Sequence, residues 1–172
     1  MIISASVWWL GVVPAGASVA VLYSLAFPSG NSGPFLLGGA VWAVVGVVWL
    51  IWFCWGRSRL LALTPLLALL TAVLAWTDVP LRAAFAVAEG RLDQQRASGE
   101  AGRAGIYEIA KVAPVEGTDV TRFTIAGTGG PYYDETGFLH APSGMPAPSP
   151  ELAAVAYRRI TGPWYWYDVP TR

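Results

Sequence analysis

Charge is missing from nearly half of this chain. The first 77 residues contain no Asp, Glu or Lys, and their only charges are the two arginines of Gly56-Arg57-Ser58-Arg59. All 11 acidic residues, and every other Lys and Arg, lie from Asp78 onward. So apolar a segment has too few polar groups to cover itself in water. The partition therefore predicts a membrane-embedded N-terminal half, 1–77, and a small water-facing C-terminal half, 78–172.

Three apolar stretches reach spanning length, at about 7–27, 35–55 and 60–76. About 20 helical residues at about 1.5 Å each match a hydrocarbon layer of about 30 Å. The third stretch is near the lower limit. Pro28-Ser29-Gly30-Asn31-Ser32-Gly33-Pro34 is built of turn formers and reads as a tight loop between the first two. Short loops rich in Lys or Arg stay cytoplasmic, so Arg57 and Arg59 place their loop inside. The N-terminus is then inside and the C-terminal domain outside. Trp8, Trp9, Trp52 and Trp55 fall at the inner interface in this register and Trp76 at the outer one, where indole sits well. Met1–Ser6 lacks the basic start of a cleaved signal, and apolar residues run on to Phe27, so the first stretch reads as a retained anchor.

The spans read as scaffold. None carries an ionisable side chain of the kind that marks ion routes or proton relays, apart from the apolar-packed Cys54. Gly11/Ala15, Gly16/Ala20 and Gly39/Ala43 are small pairs that let helices approach closely. Pro14 and Pro65 are positions for kinks.

The water-facing half carries nine basic and 11 acidic residues, a balance that does not suit nucleic acid. It has no Cys, so no disulfide staples it. Asp78 is an expected helix cap, with Pro80 in the first turn. Leu81, Phe85, Ala88 and Leu92 then mark one face of a helix over about 79–97, ending near Ser98-Gly99. That face packs either on the domain's own sheet or on the bilayer. Strands are expected over about 105–112, 120–126, 137–140 and 164–169. Tyr132-Tyr133 and Gly137–His140 read as a short hairpin around Asp134-Glu135-Thr136. Gly127–Pro131 and Ala141–Pro150 read as loops. Ser149-Pro150-Glu151 and Gly162-Pro163 bracket an expected short helix, 151–159, although AVAY also suits an extended segment. The fold class is thus three transmembrane helices with a small α+β extracytoplasmic domain built on an antiparallel sheet.

The order VPLRxxF, GIYEI, GFLHAPSG and YRRITGPWYWY, spread over Val79–Tyr167, resembles a pattern in small, uncharacterised membrane proteins of actinobacterial type. The resemblance implies an extracytoplasmic domain behind a helical anchor. It implies no activity.

Catalytic signals are sparse. His140 is the only histidine, and it reads as a surface residue at a strand end. A triad needs a nucleophile and an orienting carboxylate beside it. Asp134, Glu135 and Ser143 are near in sequence, but no GxSxG elbow is present. One His and one apolar-run Cys do not make a zinc site. Asp119, Asp134 and Glu135 lack the spacing of a calcium loop, and Gly127-Thr128-Gly129-Gly130 lacks the Lys of a phosphate loop. No cofactor or metal is expected. The aromatic residues Tyr132, Tyr133, Trp164, Tyr165, Trp166 and Tyr167 form the candidate binding surface. In a strand, Trp164 and Trp166 share one face and Tyr165 and Tyr167 the other, with one pair expected to be core and the other exposed. The reading is a non-enzymatic binding or accessory protein of the cytoplasmic membrane. Its partners would be the lipid bilayer and a protein or cell-envelope component. A structural subunit of a membrane complex is the alternative, and an envelope hydrolase or transferase using His140 and Asp134 the third.

Overall fold

The computed structural model describes residues 3–28, 32–55, 62–127, 133–144 and 156–170. The chain forms two compact units, residues 1–26 with 30–80 and residues 27–29 with 81–172. The Arg57/Arg59 loop and the tip of the Pro28–Pro34 loop lie outside the described residues, as do the side chains of Trp8, Trp9 and Trp55.

The first unit holds three helices, α1 (Ile3–Leu25), α2 (Ser32–Trp55) and α3 (Leu63–Trp76). Alpha-1 packs against both others. It stays one helix through Pro14. The Ser18 hydroxyl donates to the Pro14 carbonyl at 2.8 Å, and Thr71 of α3 donates to Ser18 at 2.8 Å. A polar pair buried between helices is thereby satisfied without any charge. Alpha-1 and α2 come close at Gly38, where an added Cβ would lie 2.7 Å from Val21 and 3.1 Å from the Ala17 carbonyl. Gly16 and Gly39, expected to line contacts, face open space. A substitution pattern alone does not say which of two adjacent glycines turns inward.

Among the described residues one helix, Gly33–Cys54, is long and apolar enough to cross a membrane. Its 22 residues reach about 33 Å. Leu36, Leu37, Val44, Val47 and Phe53 are exposed along it, as is Cys54. The expectation of three spans narrows accordingly. Alpha-3 has 14 residues, or about 21 Å, which is short of the hydrocarbon layer. In α1 the apolar part with described side chains is Gly11–Leu25.

The second unit is one long helix on a six-stranded antiparallel sheet. The helix α4 (Val79–Ser98) buries Leu81, Phe85, Ala88, Leu92 and Gln95. It ends where Gly99, at φ 70, returns its N–H to the Gln95 carbonyl at 2.8 Å. Asp78, before its first residue, has φ 52. This is the left-handed region rather than the extended backbone usual at an N-cap.

The strands are β1 (Gly102–Ala104), β2 (Tyr107–Pro114), β3 (Thr121–Ile125), β4 (Tyr133–His140), β5 (Ala156–Thr161) and β6 (Trp164–Pro170). Their order in the sheet is β1-β2-β3-β4-β6-β5. Three expectations change. Gly105-Ile106 is a two-residue turn, with Gly105 at φ 59, so Ile106 is exposed and Tyr107 and Ile109 take the core positions. Residues 133–140 are one strand and not a hairpin around 134–136, with an irregularity between Tyr133 and Glu135. Of the short helix expected over 151–159, residues 156–159 instead belong to β5, the extended alternative, and residues 151–155 lie outside the described residues. Gly162-Pro163 ends no helix. It is the turn from β5 to β6, with Gly162 at φ 49.

One core lies between α4 and the sheet and contains Phe85, Ala88, Leu92, Tyr107, Ile109, Phe123, Phe138 and Trp164. A second lies on the opposite face and contains Val115, Val120, Leu139, Tyr165 and Tyr167. Phe85 meets both Phe138 and Trp164 edge-on, at 5.3 and 5.4 Å. Phe85→Ala should therefore cost about 3–5 kcal/mol, read by denaturant titration of the protein in micelles. Gly137 is tighter still, because a Cβ there would lie 1.9 Å from the Phe123 carbonyl oxygen. Gly137→Ala should yield no protein with native near-ultraviolet circular dichroism.

Candidate functional site

The aromatic strand is the first place to look for a surface. Alternation along β6 sends Trp164 and Trp166 to the helix-covered core and Tyr165 and Tyr167 to the second core. The division between faces is the one the spacing predicts. The exposure is not. Trp164 and Tyr167 are fully buried, Tyr165 is 6% exposed, and only Trp166 is half-buried. The sheet has a buried layer on both sides, so no face is left over for an exposed pair. Tyr133 starts β4 opposite Pro170, and Tyr132 lies outside the described residues, as does the side chain of Tyr133. Trp164, Tyr165 and Tyr167 are thus interior groups rather than a presented patch.

Polar chemistry gathers instead at two places. On the face of the second core, Glu135 Oε1 accepts hydrogen bonds from the Thr124 hydroxyl at 2.6 Å and the Tyr167 phenol at 2.5 Å. Arg122 Nε stands 3.5 Å away. The strand register makes this cluster, since Thr124 pairs with Gly137 and Gly137 with Tyr167. A side chain at 137 would fill the space that the Tyr167 ring crosses. Burial works to raise the Glu135 carboxyl, but the hydroxyls of Thr124 and Tyr167 and the charges of Arg122 and Lys111 outweigh it and hold the group below its ordinary 4.5. Burial, reinforced by the carboxylate, pushes the Tyr167 phenol far upward, so it stays a donor.

The second place is the far end of β4. His140 is buried, not a surface residue, with its ring edge-on to Trp164 at 4.9 Å. Arg96 Nη1 lies 3.0 Å from Nδ1 and 2.9 Å from Nε2. Burial first, and the guanidinium second, lower the imidazole's affinity for a proton, against Asp93 and Asp119. A neutral ring follows at pH 7. Ser143 donates its hydroxyl to Asp119, whose carboxyl is held below its ordinary value first by that bond. Among the described residues, Ser143 and His140 share no hydrogen bond, so the nucleophile–base contact of a triad is not formed. The side chain of Asp134 lies outside the described residues. Among the described residues no three His, Cys, Asp or Glu side chains converge as a metal site.

Neither cluster was foreseen from the sequence. Glu135 and Tyr167 are 32 residues apart, and only the β4–β6 pairing joins them. No family model, curated protein or solved structure matches the chain.

The Glu135 cluster makes a testable link to pH. A carboxyl whose folded pKa is depressed stabilises the fold above its unfolded value, and this contribution is lost as pH falls through the folded value. Tyr167→Phe should cost about 1.5–3 kcal/mol at neutral pH, the usual worth of a hydrogen bond to a charged group. It should also shrink the acid loss of stability, because the folded Glu135 carboxyl then titrates closer to its unfolded value. Denaturant titrations between about pH 3 and pH 7 read both effects.

Proposed function

We propose that this chain is a membrane-anchored, non-enzymatic binding or accessory protein that presents a small α+β domain on the outer side of the cytoplasmic membrane. The observation that carries the anchoring is the outer face of α2. Large aliphatic and aromatic side chains are exposed along its length, with Leu36 and Leu37 each about two-thirds exposed. Water would leave that surface unfavourably hydrated, whereas acyl chains match it. Alpha-1 and α3 complete a multi-pass anchor in this reading, α3 spanning with residues 60–62 added or by local thinning of the bilayer. Arg57 and Arg59 set the orientation.

The non-enzymatic reading is supported by how the reactive side chains are used. The His140 ring faces Arg96, Ser143 is bonded to Asp119, and Glu135 is bonded to two hydroxyls. These are pairings that hold a fold, not groups poised toward a cleft. With three aromatic rings of β6 interior, contact with a protein or envelope partner falls to the remaining surface of the domain. Trp164→Ala should accordingly unfold the domain rather than abolish partner capture alone.

Topology gives the direct test. After Cys54→Ala, a cysteine at the exposed Ser98 should react with a membrane-impermeant maleimide in intact cells. Labelling only after lysis would reverse the orientation. For the function, tagged full-length protein extracted in mild detergent should bring down a partner that the soluble fragment 78–172 also retains. A partner kept only by the full chain would favour the subunit reading, in which α2 packs against other membrane helices.

A further inference from the structure

Asp168 and Thr136 are direct partners across the β4–β6 ladder. Their side chains therefore leave the same face of the sheet. Alternation along β6 puts Asp168 on the side of Trp164 and Trp166, the side that α4 covers. Asp168 is 3% exposed and Thr136 fully buried. Asp168 Oδ1 and Thr136 Oγ1 have no hydrogen-bond partner among the described residues.

Among the described residues no charged side chain is hydrogen-bonded or ion-paired to either oxygen. The core face of α4 offers Leu81, Phe85, Ala88 and Leu92, none of them ionisable, and then neutral Gln95. On β2, Tyr107 is a buried phenol whose proton burial holds firmly. His140 shares the face but lies four residues along β4, beside Arg96. On β5, Ala156 pairs with Asp168, and Arg158, opposite Trp166, is exposed. Glu135 and Arg122 belong to the opposite face.

We propose that Asp168 and Thr136 form a buried proton-binding site that ties the packing of the β4–β6 ladder to acidity. A neutral carboxyl needs no counter-charge, and Thr136, its cross-strand partner, leaves an oxygen on the same face that no group among the described residues bonds. A carboxylate in the same place has an oxygen without a partner and no bonded cation among the described residues, which is a costly state. Burial accordingly pushes Asp168 from its ordinary 3.8 to about 6. The sign follows from the direction. The folded state holds the proton more tightly than the unfolded state, so the contribution of Asp168 is fully present in acid and is lost as pH rises from about 4 to about 6. Across that interval the folded-to-unfolded ratio drops by a factor on the order of a hundred.

The test uses the full chain in detergent micelles, unfolded thermally at about pH 5 and about pH 7.5. The parent should unfold at a lower temperature at the higher pH. Asp168→Asn, neutral at both, should lose most of that difference and outlast the parent at the higher pH. His140 acts in the opposite sense and is common to both proteins, so the difference between them isolates Asp168. Equal pH dependence in parent and variant would overturn the proposal. Carbon-13 titration of the Asp168 carboxyl in the parent tests the site without any substitution. A midpoint near 6 supports it, and one near 3.8 sinks it.

Discussion

The second unit depends on hiding one strand from water on both sides. Strand β6 carries two tryptophans toward α4 and two tyrosines toward the opposite cluster. A fully buried large apolar side chain contributes about 1.5–3 kcal/mol, so the three buried rings together rival the net stability of a small domain, about 5–15 kcal/mol. The interior position of β6, between β4 and β5, follows from this. Only a strand with a neighbour on each edge and a layer on each face can bury rings at successive positions. Gly137 is the cost of that arrangement on the adjoining strand, where the backbone must come close to Phe123 and Tyr167.

The periodic parts of this fold were legible in the sequence. Leu81, Phe85, Ala88 and Leu92 at helical spacing define the buried face of α4, and packing on the sheet is the alternative the structure adopts. Phe123 and Ile125 point into one core as their alternation requires. What failed were signals with two meanings. Gly162-Pro163 stops a helix or turns a hairpin, and the extended preference of Tyr157, Ile160 and Thr161 decides for the hairpin. Asp134-Glu135-Thr136 looks like a turn, yet the pairing of Glu135 and Thr136 with β6 keeps the chain extended.

The polar sites were less legible, because they are made by pairing between distant strands. One clue was present. If Trp164 and Trp166 point into a core, Asp168 must point the same way, and a buried aspartate without a charged neighbour in its strand is an unusual placement. The His140 environment had no such clue, since Arg96 reaches it from another element 44 residues away. In the first unit the lack of charge announced apolar helices, of which α2 is long enough to cross a membrane. Which glycine forms the notch between α1 and α2 depends on the rotation of each helix, and that is a tertiary property.

The order of synthesis differs from the order of the sheet. Strand β6 is sixth in the chain but lies between β4 and β5. Until it emerges, β4 has an unpaired edge and both cores lack their largest rings. Partial chains therefore cannot settle into a lesser version of this domain. They hold a sticky, open-edged intermediate of the kind that pairs with neighbours or attracts chaperones. Assembly of this half is all-or-none with respect to chain length, and every nascent copy passes through an interval of vulnerability that ends only when its sixth strand slots home.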